Sequence, residues 1–259
     1  MKREDLPAAA AQAAPSADDA WVALLDAACA PYRSAGRWAW HWARGKLGRD
    51  PVFRGLLERG DLPARARVLD IGCGQGLLAS LLQATADAAR RGAWPAAWPA
   101  APSATAYTGI ELMAKDAARA RAALHGLPLQ PRFINADMCR AALPECDVVV
   151  ILDVLHYVDH AAQEALLQGV RDALRPSQGR LLLRVGDADS RRGFAVSQWV
   201  DHVVTMARGH RVPPTYCRPL AAWVALLESQ GYAVRTVPMS QGTPFANVLL
   251  VADLGAGSS

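Results

Sequence analysis

The chain of 259 residues is 52% apolar and 20% charged with a formal net charge of +4, which suits a globular protein with a substantial core, built as one large α/β domain with additions better than as two domains. The modest arginine excess reads as solvated surface before it reads as a nucleic-acid footprint, and no apolar run approaches the ~20 residues of a membrane span. Cys29, Cys73, Cys139, Cys146 and Cys217 include no CxxC pair, which argues against a zinc site or a disulfide framework and fits a reducing, cytoplasmic setting.

Residues 1–20 carry Asp18, Asp19 and two prolines where a signal peptide would be apolar, and read as a disordered Ala/Pro leader. Over 21–60 the apolar spacing is helical, through Trp21, Leu24, Leu25 and Ala28, then Trp38, Trp42 and Leu47, then Val52, Phe53, Leu56 and Leu57. This predicts two or three helices that form an N-terminal lid ahead of the main domain at 61–259. The strand RVLDIG (67–72) enters a glycine-rich turn and a helix over 75–86. Residues 87–104, with three prolines and two tryptophans that look exposed, read as a mobile, dispensable insertion loop. A strand at 106–111, a helix at 114–124, a strand at 131–137 and the branched run CDVVVILD (146–153) follow. A helix at 160–174 then leads to the strand GRLLLRVGD (179–187).

Two more helical stretches are expected, around Val196, Trp199 and Val203 and around Leu220, Trp223 and Leu227. The chain closes with two strands, AVRTVPMS and FANVLLVAD, joined by the turn QGTP. Strands alternating with helices give a doubly wound, Rossmann-like, seven-stranded and mostly parallel sheet. The closing pair lacks a crossover helix, so the last strand must be antiparallel.

The segment VLDIGCGQG (68–76) carries the most information. A buried strand ends at Asp70, and glycines at 72, 74 and 76 let the backbone turn and approach a ligand. In such a sheet ligands lie beyond the carboxyl ends of the strands. The third glycine of a dinucleotide fingerprint would fall on Leu77, and Asp70 would repel a pyrophosphate, so a nicotinamide or flavin nucleotide fits poorly. A ligand with cationic groups suits the carboxylate.

The pattern D-x-G-C-G-x-G after a hydrophobic strand resembles motif I of class I S-adenosylmethionine-dependent methyltransferases, and residues 65–253 follow that family's order of elements. The resemblance implies a cofactor, S-adenosylmethionine, held at Asp70, Gly72, Cys73 and Gly74. It implies Glu111 on the ribose hydroxyls with Leu112 beside it, Asp137 on the adenine amino group and Met138 against the ring. Asp153, in LDVLHYVD, resembles the D-x-x-H-[HY] stretch of small-molecule methyltransferases. For Glu111 the rival reading is an exposed strand-end acid; for Asp137 and Asp153 it is a loop cap.

Methyl transfer is an in-line displacement, so the protein chiefly orients two partners and, for an acidic OH or NH, removes a proton. His156 is the candidate general base; its rival role is to hydrogen-bond the loop or pack against the cofactor. For the N-terminal tryptophans the first reading is packing of Trp38 and Trp42 against the sheet; the sharper one is a lid in which Tyr32 and Arg33 reach the methionine carboxylate. A surface-lying helix at a membrane is a third reading of that segment. An acceptor pocket is expected between residues 21–58 and 187–220, with Arg33, His41, His202, Arg208 and Tyr216 among its polar and aromatic groups, while Arg184 is one of several arginines around the end of the fifth strand, at least half of which read as surface charges.

The N-terminal pattern, VILDVLHYVD and RLLLRVGDADSRR also resemble methyltransferases of bacterial aryl-polyene or xanthomonadin-type pigment clusters. That resemblance implies O- or C-methylation of a phenolic or aryl-polyene acyl compound, free or tethered to an acyl carrier protein. The alternatives are an accessory protein that keeps the fold without catalysis, and a nucleic-acid or protein methyltransferase. The second lacks support, because the Asn/Asp-Pro-Pro-aromatic loop that clamps an amino nitrogen is absent after the fourth strand.

Overall fold

The computed structural model describes residues 15–186, 215–239 and 247–255. Seven strands form one sheet in the order β3-β2-β1-β4-β5-β7-β6. They are β1 (Ala66–Ile71), β2 (Ala104–Glu111), β3 (Arg132–Asn135), β4 (Val148–Leu152), β5 (Arg180–Gly186), β6 (Tyr232–Pro238) and β7 (Asn247–Leu254). The first five are parallel, and β7 runs antiparallel to both of its neighbours, as expected. β4, an unbroken Val-Val-Val-Ile-Leu run, is buried at its first four positions, as a strand covered on both faces must be.

Side chains alternate between two cores. One face, with Val68, Val148, Val150 and Leu182, is covered by α1 (Ala17–Cys29), α2 (Arg37–Arg49), α3 (Pro51–Glu58), α4 (Leu77–Arg90) and α5 (Ala114–Leu124). The other, with Leu69, Ile71, Val149, Ile151 and Leu183, is covered by α6 (His160–Leu174) and α7 (Leu220–Ser229). The strand order reverses between β1 and β4, so the turns leaving their carboxyl ends part and open a crevice.

Three expectations are corrected here. The leader gives way to helix earlier than residue 20, because Ser16 caps α1 and Asp18 and Asp19 suit its positive end. The insertion is not a loose loop: α4 runs on to Arg90, and Trp98 is only 8% exposed within the core. Trp94 stacks edge-on against Trp98 at 5.2 Å and donates to the Pro99 carbonyl, while Thr85 donates to that of Pro102. Nor does Trp38 pack on the sheet. Ala39, Ala43 and Leu47 form the inner stripe of α2, which leaves Trp38 57% exposed. The helix expected around Val196, Trp199 and Val203, the QGTP turn, His202 and Arg208 lie outside the described residues.

Candidate active site

The glycine turn is built on left-handed backbone. Gly72, Gly74 and Gly76 have φ of +76°, +55° and +76°. A Cβ at Gly72 would lie 2.5 Å from the Val154 side chain and one at Gly76 2.7 Å from Phe133, whereas one at Gly74 would meet nothing within 4 Å. Gly72 and Gly76 are thus demanded by packing as well as conformation, and Gly74 faces open space. The N–H groups of Gly72 and Cys73 both donate to the Ile110 carbonyl, tying the turn to β2.

Two buried carboxyls flank the turn. Asp70 accepts from the Tyr107 hydroxyl. Burial pushes its carboxyl up to about 7; the Tyr107 bond opposes the rise and the Glu111 charge adds to it. Glu111 accepts from the Gly74 N–H at 2.9 Å and the Met113 N–H at 2.7 Å, so it bridges the turns after β1 and β2. Leu112, the next residue, is 65% exposed, an apolar side chain left uncovered at the rim. Asn135 donates to the carbonyls of Glu111 and Leu112, and the Ala136 N–H donates to that of Glu111, which brings the end of β3 alongside. Beyond it the Asp137 carboxylate accepts from the Cys139 N–H in a tight turn, and Met138 is half-buried against the second core. Asp70, Gly72, Gly74, Glu111, Leu112, Asp137 and Met138 therefore line one end of the sheet.

Several other candidates have different employment. The Cys73 thiol is buried over Gly109, whose added Cβ would lie 2.6 Å from its sulfur, and burial raises the thiol so that it stays neutral packing. Tyr32 does not reach toward a ligand: its buried hydroxyl donates to the Gln75 carbonyl at 2.8 Å and braces the turn from behind. Arg33 is exposed and its guanidinium lies 5.5 Å from the Trp40 ring centre. Asp153, with φ of +60°, is held by Arg184, which donates to both its oxygens and to both oxygens of Asp50. Arg184 is 2% exposed, so it is an interior clamp and not a surface charge. Burial works to raise the Asp50 carboxyl, but the bonds and charge of Arg184 prevail and hold it below the usual carboxylate range.

The clamp seats the loop after β4. Val154 closes on Gly72, and a short 3₁₀ turn at Leu155–Tyr157 carries His156. The His156 ring lies 4.1 Å from that of Tyr157, its Nε2 is buried, and its carbonyl accepts from the Tyr216 N–H. Tyr107, Asn135, Asp50 and the bracing role of Tyr32 escaped the sequence reading. Only the placement of Tyr107 and Asn135 on strands that flank the turn could have pointed to them.

A doubly wound sheet whose glycine turn is flanked by two buried carboxyls suits a ligand with cationic groups. A family profile described as a methyltransferase domain matches residues 39–237. No curated protein matches the chain. Among solved structures, magnesium protoporphyrin IX methyltransferase from Synechocystis, solved with S-adenosylhomocysteine, is 19% identical, with 92% of this chain and 94% of that one aligned and a TM-score of 0.55. An O-methyltransferase family protein from Burkholderia thailandensis is 18% identical over 87% of this chain and 63% of its own, with a TM-score of 0.58. Human N-acetylserotonin methyltransferase, solved with S-adenosylmethionine, is 18% identical over 89% and 59%, with a TM-score of 0.53. At these identities the likeness is one of fold.

The profile covers most of the chain, and the protein belongs to the methyltransferase-domain family, as a class I S-adenosylmethionine-dependent enzyme. The residues present fit the cofactor. The carboxylates beside the turn suit its ammonium, sulfonium and ribose diol, and Leu112 offers an apolar face for adenine. Among the described residues no cluster could hold a metal ion, and no helix is long and apolar enough to cross a membrane.

Proposed function

We propose that the protein methylates an oxygen or carbon of a small aromatic acceptor, a phenol or an aryl-polyene acyl compound, free or carried on an acyl carrier protein. The observation that carries this reading is the closure of Val154 on Gly72, which brings the turn of His156 beside the glycine turn. Tyr157 packs on His156, and the backbone of Tyr216, whose side chain is 37% exposed, is tethered to the His156 carbonyl, so two tyrosines accompany the candidate base. The names of fold neighbours that methylate magnesium protoporphyrin IX, mitomycin and N-acetylserotonin support a small ring-bearing acceptor.

S-adenosylmethionine supplies a methyl group made electrophilic by its sulfonium. In this reading Glu111 would hold the ribose diol, Leu112 and Met138 would flank the adenine, and Asp137 would accept from its amino group. Asp70 and Glu111 supply the negative field that favours the cationic cofactor over its neutral-sulfur product. Arg184, by fixing Asp153, holds the loop of His156 at the strand ends. His156 would take the acceptor's proton as the acceptor bonds the methyl carbon and the carbon–sulfur bond breaks, its electron pair leaving on the neutral thioether.

The test is formation of S-adenosylhomocysteine with a panel of phenols and aryl-acyl thioesters. With an active acceptor, His156→Ala should lower kcat by about two to four powers of ten and leave cofactor affinity unchanged. A drop below tenfold would make His156 a packing residue. Turnover with protein or RNA but with no small phenol would sink the acceptor class.

A further inference from the structure

We propose that the exposed face of α2 docks on an anionic lipid surface. The helix reads RWAWHWARGKLGR, with four fixed cations and no acid. Its inner stripe of Ala39, Ala43 and Leu47 turns Arg37, Trp38, His41 and Arg49 outward. Among the described residues, Asp26 engages Arg44 and Asp50 engages Lys46, while Arg37 and Arg49 have no carboxylate partner. Gly45 sits on the same face, and a Cβ there would meet nothing within 4 Å, so packing does not account for a residue that weakens a helix interior.

The composition fits phosphate headgroups over the two rival anions. A single-stranded nucleic acid would use the tryptophans as stacking platforms. The Trp38 ring is already engaged, stacked on Trp42 at 6.4 Å and 15° and lying under the Arg119 guanidinium at 4.8 Å. A tryptophan presented beside arginines, with its ring held in place, is the arrangement that settles at the level of lipid headgroups. An acidic protein such as an acyl carrier protein would satisfy the cations equally, but it would leave Trp38 exposed unless it also brought an apolar pocket.

The face is joined to the cofactor end. Arg119 pairs with Asp116 at 3.5 Å, Asp116 accepts from Gln75 at 3.0 Å, and Gln75 belongs to the glycine turn. A membrane on α2 would therefore lie near the glycine turn. The docking itself does not depend on which acceptor is methylated.

Co-sedimentation of the full chain with phosphatidylcholine vesicles, with and without phosphatidylglycerol, tests the proposal. The expected result is binding only when phosphatidylglycerol is present, released by high salt. Trp38→Ser and the double variant Arg37→Glu/Arg49→Glu should each weaken it by at least about tenfold, the scale of cations near an anionic leaflet. Calorimetry with S-adenosylhomocysteine should show wild-type affinity in both, which establishes that they fold. Absence of binding, equal binding to neutral vesicles, or undiminished binding by both variants would overturn the proposal. Capture of apo acyl carrier protein or of single-stranded RNA through these same residues, with no vesicle binding, would overturn it too and reassign the face.

Discussion

Strand β5 is fastened to the N-terminal helices at both of its ends, and the two fastenings have opposite composition. At the amino end Asp61, fully buried, accepts from Arg59 and Arg235, and its carbonyl accepts from Arg180, which also pairs with Asp253. At the carboxyl end Arg184 is the buried group, and Asp50 and Asp153 surround it. One acid among arginines stands against one arginine among acids. The arginines around Asp61 keep part of their side chains in water, 28% for Arg59 and 52% for Arg235, so their charge has an outlet. Arg184 has none. With Asp70 and Glu111 added, the carboxyl end gathers acidic groups around the glycine turn, where the proposed cofactor site lies. The amino end only binds the layers together. The two fastenings of β5 thus differ in the sign of the charge each one encloses, and the acid-rich fastening lies at the end that carries the glycine turn.

Removing Arg184 should have the largest effect. Arg184→Met leaves two aspartates facing each other at the strand ends and should cost about 3–5 kcal/mol in urea unfolding. A loss under about 1 kcal/mol would mean that the clamp is slack, and the contrast between the two ends would collapse. Asp61→Asn should cost less, about 2 kcal/mol, because the arginines it leaves can turn to solvent. Equal losses for the two variants would erase the distinction.

Acid should loosen the carboxyl end through Asp50. The depressed Asp50 carboxyl contributes stability that is fully present above its ordinary value of 3.8 and is lost as the pH falls through its lower folded value. Asp50→Asn should therefore flatten the acid limb of a stability-against-pH curve. Glu111→Ala should weaken cofactor binding by about 1–3 kcal/mol, the scale of lost hydrogen bonds to a charged group; unchanged affinity in calorimetry would remove Glu111 from the ribose.

The smallest effect concerns protons. Asp70 is raised to about 7, so near that pH a fraction of the unliganded protein carries the proton. A cation seated beside it lowers that value, and binding of S-adenosylmethionine should release a fraction of a proton near neutrality. Calorimetry in two buffers of different ionisation enthalpy measures the release, which Asp70→Asn should abolish. Proton uptake on binding would contradict a cationic ligand at this site.

The sheet was legible in the sequence because it depends on local pattern. The Val-Val-Val-Ile-Leu run, the strand-glycine-helix sequence at 68–76 and the missing crossover between the last two strands each have one physical solution. The clamp was not legible. Arg184 and Asp50 are 134 residues apart, and neither breaks the periodicity of its own element. Asp153 looked like a site acid because its position after β4 is shared by both roles; only the partner decides between them. The insertion misled for a related reason. Prolines and alanines signal a loop correctly, but they do not tell whether Trp98 finds the cavity that buries it.

The clamp also has a history within each molecule. Asp50 leaves the ribosome well before Arg184, and at ordinary rates of synthesis an interval of 134 residues lasts on the order of ten seconds. During that interval the junction between α2 and α3 must keep its carboxylate without the guanidinium that later encloses it. Lys46, one helical turn upstream and 2.7 Å from Asp50, is available from the start as a local partner. The half-finished chain can therefore keep α2 and α3 in register, with the seat for β5 prepared before the strand that fills it has been made.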